Sequence, residues 1–288
     1  MLSMRVMATL ALSGSQAMSV VYASALQQFI EAHPRLFVLT GAGVSTDSGI
    51  PDYRDLEGQW KRPPPVTYQA FMHELPTRRR YWARSMIGWR RFGSAQPNAA
   101  HRALARLEQL GHIGLLVTQN VDRLHQRAGS QHVVDLHGRL DEVRCMSCDQ
   151  RLPRDRFQHL LTAHNPAWVG LDAADAPDGD ADLEHADFAG FVIPPCPICG
   201  GIMKPDVVFF GESVPRERVD TAMRALIDAD AVLVLGSSLM VYSGFRFARL
   251  AALEGKPLAA VNLGRTRADD LLTLKIEQRC DEALAFLR

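Results

Sequence analysis

The chain has 288 residues, 47% of them hydrophobic and 22% charged, and its 32 basic and 32 acidic side chains cancel to a formal net charge of zero. That usage excludes a wholly disordered chain and a fibre, and it leaves no global basic field for nucleic acid or an anionic membrane. No apolar stretch approaches the roughly 20 residues that span a bilayer, so the expectation is one large domain with a small satellite.

At the N-terminus, Arg5 and the run Val6 to Leu12 faintly resemble a signal peptide. The run is short, so residues 1–19 are read as a disordered leader, with Met4, Met7 and Met18 as alternative starts. A helix is predicted at about 20–32, then a short apolar strand from Leu36 to Thr40 that ends in Gly41-Ala42-Gly43. Helices at about 76–91 and 97–110 lead to a strand from Ile113 to Thr118, and Val133 to Leu136 forms another that ends at His137-Gly138. Beyond residue 204, strands Val207 to Phe210, Ala231 to Gly236 and Leu258 to Asn262 alternate with helices at about 215–228, 244–254 and 268–287, the last one broken. Such alternation predicts an α/β fold with a largely parallel sheet and helices on both faces.

Residues 142–204 have a different texture and read as a small inserted module. Cys145-x-x-Cys148 and Cys196-x-x-Cys199 match the tetrathiolate pattern for zinc, although 47 residues separate the pairs and an insertion must loop out between them. Four thiolates close the coordination sphere, so the zinc is structural and the chemistry lies elsewhere. Asp172 to Asp187 carries seven carboxylates and no Lys or Arg. It reads as a solvated loop; Asp178, Asp180 and Asp182 lack the Gly and the Glu spacing of a calcium loop.

Gly41-Ala42-Gly43 directly follows a strand, where glycines let backbone approach a pyrophosphate. The dinucleotide spacing is imperfect, since Thr46 stands where a third Gly belongs, and no Gly-Lys-Ser/Thr makes it a P-loop. Other strands end in polar clusters: Gln119-Asn120-Val121-Asp122, His137-Gly138, Gly236-Ser237-Ser238 and Asn262-Leu263-Gly264. In a doubly wound sheet such ends face one crevice. His137 beside Asn120 and Asp122 is the best general-base candidate there. No Gly-x-Ser-x-Gly elbow is present, which disfavours serine hydrolysis.

Taken in order, the stretch Gly41 to Arg54, Thr118 to Asp122, Leu136-His137-Gly138, the two CxxC pairs, Lys204 to Glu212 and Gly236 to Leu239 resemble the sirtuins, NAD-dependent protein deacylases. The resemblance runs from about residue 20 to the C-terminus. Arg80 to Arg84 and Val241 to Phe247 look like the class II branch, which includes bacterial enzymes and a mitochondrial member with lipoamidase and ADP-ribosyltransferase activities. It implies a Rossmann-like domain (20–141 and 205–288) and a zinc-binding module (142–204), with NAD consumed as a co-substrate. In the implied reaction the acyl oxygen attacks C1′ of the nicotinamide ribose, nicotinamide leaves, and His137 acts as base on the ribose hydroxyls. Free lysine and O-acyl-ADP-ribose result.

By the same resemblance, Asn120 and Asp122, with Gln119 and Val121 beside them, hold the nicotinamide-ribose region. Gly41, Ala42, Gly43, Ser45, Thr46, Asp52, Tyr53 and Arg54 belong to the cofactor loop. Gly236, Ser237, Ser238, Asn262, Leu263, Gly264 and Cys280 line the phosphate, ribose and adenine end. Val207, Val208 and Phe209 offer a strand edge to an extended acyl-lysine peptide. Tyr81 and Arg84, three apart on a predicted helix, match a Tyr-x-x-Arg pair that recognises acidic acyl groups in another sirtuin branch; here the pair belongs to the class II pattern, which weighs against acidic-acyl selectivity and leaves a structural ion pair as the alternative. The alternatives are a mono-ADP-ribosyltransferase at the same NAD site and a non-catalytic NAD sensor or adaptor; an intact His137 favours the deacylase. The expected partners are acyl-lysine proteins and NAD, without nucleic acid or membrane, for a monomer in the cytoplasm, or in the mitochondrial matrix if eukaryotic.

Overall fold

The computed structural model describes residues 14–171, 175–176, 180–181, 183 and 186–287. The chain opens with α1 (Gly14–Ala32) and β1 (Leu36–Thr40). Then α2 (Tyr68–His73), α3 (Leu75–Phe92) and α4 (Ala99–Gln109) lead to β2 (Ile113–Thr118), α5 (Leu124–Arg127) and β3 (Val133–Asp135). The module strands β4 (Gly138–Cys145) and β5 (Arg151–Pro153), α6 (Arg154–His164), the short β6 (Asp175–Ala176) and β7 (Asp180–Ala181), and β8 (Met203–Val207) follow. Last come α7 (Arg216–Asp228), β9 (Ala231–Leu235), α8 (Tyr242–Leu253), β10 (Leu258–Val261), β11 (Leu274–Ile276) and α9 (Cys280–Ala283).

Six strands form the main sheet in the order β11-β10-β9-β1-β2-β3, with every pairing parallel. Numbered within that sheet this is 3-2-1-4-5-6 read from the β3 edge, the doubly wound arrangement of a dinucleotide fold. The period of two along β1 explains the layers. Leu36 and Val38 pack into one apolar cluster with residues of α1, α4 and α9. Phe37 and Leu39 point the opposite way, into a cluster built with α7 and α8. Both faces are covered, so the strands read as continuous apolar runs.

The second body is a three-stranded antiparallel sheet, β5-β4-β8. Its apolar cluster includes Val143, Leu152, Phe157 and Met203, together with Phe71, Trp82 and Met86 from α2 and α3. Fully buried Trp82 donates from Nε1 to the Met203 carbonyl at 3.2 Å. The packing thus gives the module a second contribution, residues 68–92, from outside the stretch that its composition marks.

Four expectations need correction. The segment 268–287 is a 3-10 turn (Asp269–Leu271), then strand β11, then α9 and a second 3-10 turn; β10 recruits Leu274–Ile276 as a sheet edge before any long helix forms. Of the expected parallel strand Val207 to Phe210 only Val207 lies in a strand, as the last residue of β8, which starts four residues earlier and pairs antiparallel with β4. The acidic segment, of which only parts are described, contains the β6–β7 hairpin, packed against α3 instead of wholly solvated. Arg90 of α3 helps anchor its approach, donating to the carbonyls of Val169 at 3.0 Å and of Leu171. The leader's residues 1–13 lie outside the described residues, as do Asp178 and Asp182, whereas residues 14–19, expected to be disordered, are helical as the start of α1.

Candidate active site

A cleft of about 670 Å³ opens at the carboxyl ends of β1, β2, β9 and β10, between the main sheet and the module. It lies where the strand order reverses, at the β1–β9 junction, the position where such sheets bind ligands. There the Gly41 amide donates to the Leu235 carbonyl at 3.1 Å and the Gly43 amide to the Gly236 carbonyl at 2.8 Å. Gly236 has φ +60°, and a Cβ on it would run into the Val44 amide, so two strand ends meet at a spacing that only glycine permits. Leu239, buried in the same wall, holds a left-handed φ of 56°, which costs backbone energy for a branched side chain.

From β2 the chain turns sharply into Gln119-Asn120-Val121-Asp122, all on the cleft wall. Ser45 gathers this turn. Its Oγ accepts from Asn120 Nδ2 at 3.0 Å and donates to Asp122 Oδ2 at 2.7 Å. Asp122 Oδ1 also accepts from the Leu124 amide at 2.9 Å. Burial pushes the Asp122 carboxyl above its ordinary range, while those hydrogen bonds oppose the shift. Behind Ser45 stand two buried imidazoles, His101 at 3.4 Å from Ser45 Oγ and His125 at 2.9 Å from Thr40 Oγ1. Burial pulls His101 down to about 4 and His125 well below its usual value.

His137 follows β3 and precedes Gly138, which has φ +85° and no room for a Cβ against the Asp206 carbonyl. Its Nδ1 lies 3.0 Å from the Gln119 carbonyl and its Nε2 lies 2.7 Å from Ser243 Oγ. A carbonyl only accepts, so Nδ1 carries the hydrogen and Nε2 the lone pair. Burial pulls the imidazole down to about 4; the Gln119 carbonyl opposes this, and Arg218 and Arg246 add to it. His137 is therefore a neutral base near pH 7.

Asp52, Tyr53 and Arg54 lie on the loop that covers one side of the cleft. Arg54 donates to the Gly58 carbonyl at 2.8 Å and stacks 3.9 Å above Trp60. Asp52 pairs with Lys61. Trp60 reaches across to Phe210, ring centroids 5.6 Å apart, so the expected cofactor loop touches the expected peptide edge. That edge is shorter than expected. The Val208 amide already donates to the His137 carbonyl at 2.8 Å and the Phe209 amide to Glu212 Oε2 at 2.9 Å. Buried Lys204 pairs with Glu212 at 3.1 Å and holds this turn in place.

Five expected site residues fall outside the cleft wall. Thr46 directs its hydroxyl to the Gly43 carbonyl at 3.2 Å. Gly264 is pressed against Leu56, where its φ of +82° and missing Cβ let the loop dock. Cys280 starts α9 inside the apolar core, and burial pushes its thiol up to about 12. Tyr81 packs its ring edge-on to Phe71 at 5.3 Å and tilted against Phe209 at 5.2 Å, one layer behind the cleft. Arg84 shares its helix and is likewise absent from the wall. Conversely, Trp60, Ser243 and Arg246 do line the cleft. They sit in a loop and on the first turns of α8, away from the strand ends that a sequence reading inspects.

The four module cysteines converge. Their sulfur atoms all lie within 4.8 Å of one another, with Cys145–Cys199 at 3.5 Å and Cys148–Cys196 at 3.7 Å. Tetrahedral zinc with bonds of about 2.3 Å requires sulfur separations of about 3.8 Å, so this donor set fits a structural zinc.

Comparison with known proteins decides the family. The Sir2 family profile matches residues 41–243. The chain belongs to the Sir2 family. An NAD-dependent protein deacetylase of Xanthomonas campestris pv. campestris (strain 8004) is 70% identical over 264 residues, 92% of this chain and 90% of the relative. The mitochondrial NAD-dependent protein lipoamidase sirtuin-4 of Bos taurus is 46% identical, over 91% of this chain and 84% of the relative. A solved Sir2 variant with deacetylated p53 peptide and 3′-O-acetyl ADP ribose superposes with a TM-score of 0.72 at 31% identity, covering 91% of this chain and 95% of that one. As a Sir2 protein, this chain joins a Rossmann-like sheet to a zinc module around one cleft. Among the described residues no helix is long and apolar enough to cross a membrane.

Proposed function

We infer that this protein removes acyl groups, acetyl first among them, from protein lysines and consumes NAD in doing so. The observation that carries the reading is His137, a neutral base whose Nε2 lone pair lies in the wall of a cleft at the sheet's switch point. The turn Ala42–Val44 and the loop 50–61 supply backbone and side chains on one side of that cleft, and its volume suits a large bound molecule. NAD, when bound, supplies a ribose carbon that takes the acyl oxygen as nicotinamide leaves, and hydroxyls that receive the acyl group.

The chain's residues do the rest. Ser45, Asn120 and Asp122 form one hydrogen-bonded unit, so the nicotinamide end meets a pre-organised wall. His137 Nε2 takes a proton from a ribose hydroxyl. Tyr53, Arg54 and Trp60 cover the cleft and exclude water. Val207 to Phe210 guides the peptide, less through the amides of 208 and 209, which are engaged, than through the side chains that line the cleft. The cytoplasm is the compartment this reading favours, because the four module thiols suit zinc more than disulfides.

The test is mass spectrometry of acetyl-, lipoyl-, succinyl- and long-chain acyl-lysine peptides with and without NAD. Loss of one acyl mass, with O-acyl-ADP-ribose appearing, is expected for the wild type; His137→Tyr is expected to bind NAD without turnover. NAD consumption with ADP-ribosylated protein and no deacylation would instead support the transferase reading. Undiminished deacylation by His137→Tyr would remove the base from the mechanism.

A further inference from the structure

Ser243 is the second residue of α8, and its hydroxyl sits 2.7 Å from His137 Nε2. With Nδ1 committed as a donor to the Gln119 carbonyl at 3.0 Å, Nε2 is the acceptor and Ser243 the donor. The first turn of α8 is pressed against this pair. A Cβ on Gly244 would lie 2.5 Å from Gln119 Nε2, so α8 approaches Gln119 as closely as a glycine allows. Gln119 is held from its other side, since Ser237 Oγ donates to Gln119 Oε1 at 2.6 Å. Gln119 and Ser243 thus grip the imidazole at both nitrogens, and Ser237 with Gly244 fixes the grip. Ser243 is too far along the chain from His137, 106 residues, for the contact to be a local turn effect.

We propose that Ser243 is a positioning residue for His137: with the tautomer set by the Gln119 carbonyl, its hydroxyl donates to Nε2, holds the ring's orientation with that nitrogen facing the cleft, and yields it to the ribose hydroxyl on turnover. A hydroxyl that donates to Nε2 stabilises the neutral ring and resists its protonation. Arg218 of α7 and Arg246 of α8 act in the same direction, as does the N-terminal end of the α8 dipole; Asp122 lines the same cleft from the β2 side. Removing the hydroxyl therefore raises the pH below which the base is lost. The identity of the displacing hydroxyl rests on the deacylase reading, whereas the contact between Ser243 and His137 is a property of the free protein.

Two measurements separate these levels. Nitrogen-15 NMR of the histidines, with His137→Tyr to assign the signal, is expected to show an Nδ1–H tautomer in the wild type. In Ser243→Ala the Nδ1–H tautomer is expected to persist, held by the Gln119 carbonyl, with the titration of His137 moved up by about one pH unit. In the deacylation assay Ser243→Ala is expected to lower kcat about tenfold, with the KM for NAD changed less than about twofold, and to move the acid limb of kcat/KM upward by the same interval. Ser243→Thr, which keeps the hydroxyl, is expected to restore kcat to within about threefold. An unchanged His137 titration and acid limb in Ser243→Ala would overturn the proposal. So would a folded Ser243→Thr as impaired as Ser243→Ala. Should the wild type show no NAD-dependent deacylation, the functional reading fails, and the shift of the His137 titration in Ser243→Ala, read by NMR, still decides Ser243.

Discussion

Single positions set the tolerances of this site. Gly138 joins His137, the proposed base, to β4 at φ +85°, with the Asp206 carbonyl where a Cβ would lie. Gly138→Ala meets both a disfavoured dihedral and a backbone collision, and is expected to destabilise by about 2 kcal/mol or more in denaturant titration. It is also expected to lower kcat, because His137 moves with it. Arg84 supplies the contrast. Its helix faces the module, and Tyr81 beside it packs behind Phe209 instead of reaching the cleft. Arg84→Met is therefore expected to leave deacetylation and desuccinylation each within about twofold in the peptide assay. A selective fall in desuccinylation would return Arg84 to the substrate's acyl end. Much of the cleft wall was readable residue by residue, because polar residues at apolar strand ends have few reasons to sit there other than a cap or a ligand. Ser243, by contrast, touches His137 across 106 residues, and nothing local in Tyr242-Ser243-Gly244 announces that.

At the scale of elements, the legible parts were the strands with continuous apolar runs, β1, β2, β9 and β10, since burial on both faces leaves that mark. β11 escaped because three residues with Lys275 in the middle carry no such run, and Lys275 finds its partners in Asp269 and Glu277. The direction of β8 escaped for a different reason. Parallel or antiparallel pairing is fixed by which strand lies alongside, and β4 reaches β8 from far off in the chain. The zinc knuckles were plain from spacing alone, but the contribution of α2 and α3 to the module was not. Zinc closes the hairpin ends of a sheet of only three strands, so its removal should cost the module more than the main sheet. Cys196→Ser, or a strong chelator, is expected to release about one zinc per chain, lower the thermal midpoint and abolish deacylation, as read by metal analysis alongside calorimetry.

For the whole molecule, the buried imidazoles dictate an acid limit. His101, His125 and His137 are all held neutral, chiefly by burial, the first and last at about 4. An unfolded histidine takes its proton near 6.5. Between those values the unfolded chain binds more protons, so stability falls as pH drops from about 6.5 towards 4 and is fully present above that window. The loss is expected to reach a few kcal/mol, on the order of 1 to 3 each for His101 and His137, in urea titrations across the window. Stability that stayed flat from pH 7 to 5 would mean that the rings titrate normally.

The bond from Trp82 to the Met203 carbonyl spans 121 residues of chain. On a ribosome adding about 5 to 20 residues each second, one half of the module's core is made roughly 6 to 24 seconds before the other. Trp82, Phe71 and Met86 emerge with nothing yet synthesised to cover them, while Cys145 and Cys148 wait for Cys196 and Cys199 before a metal can be fully enclosed. Birth order thus makes zinc capture a late event, and the growing chain's apolar α2–α3 hairpin the segment that most needs a chaperone's shelter.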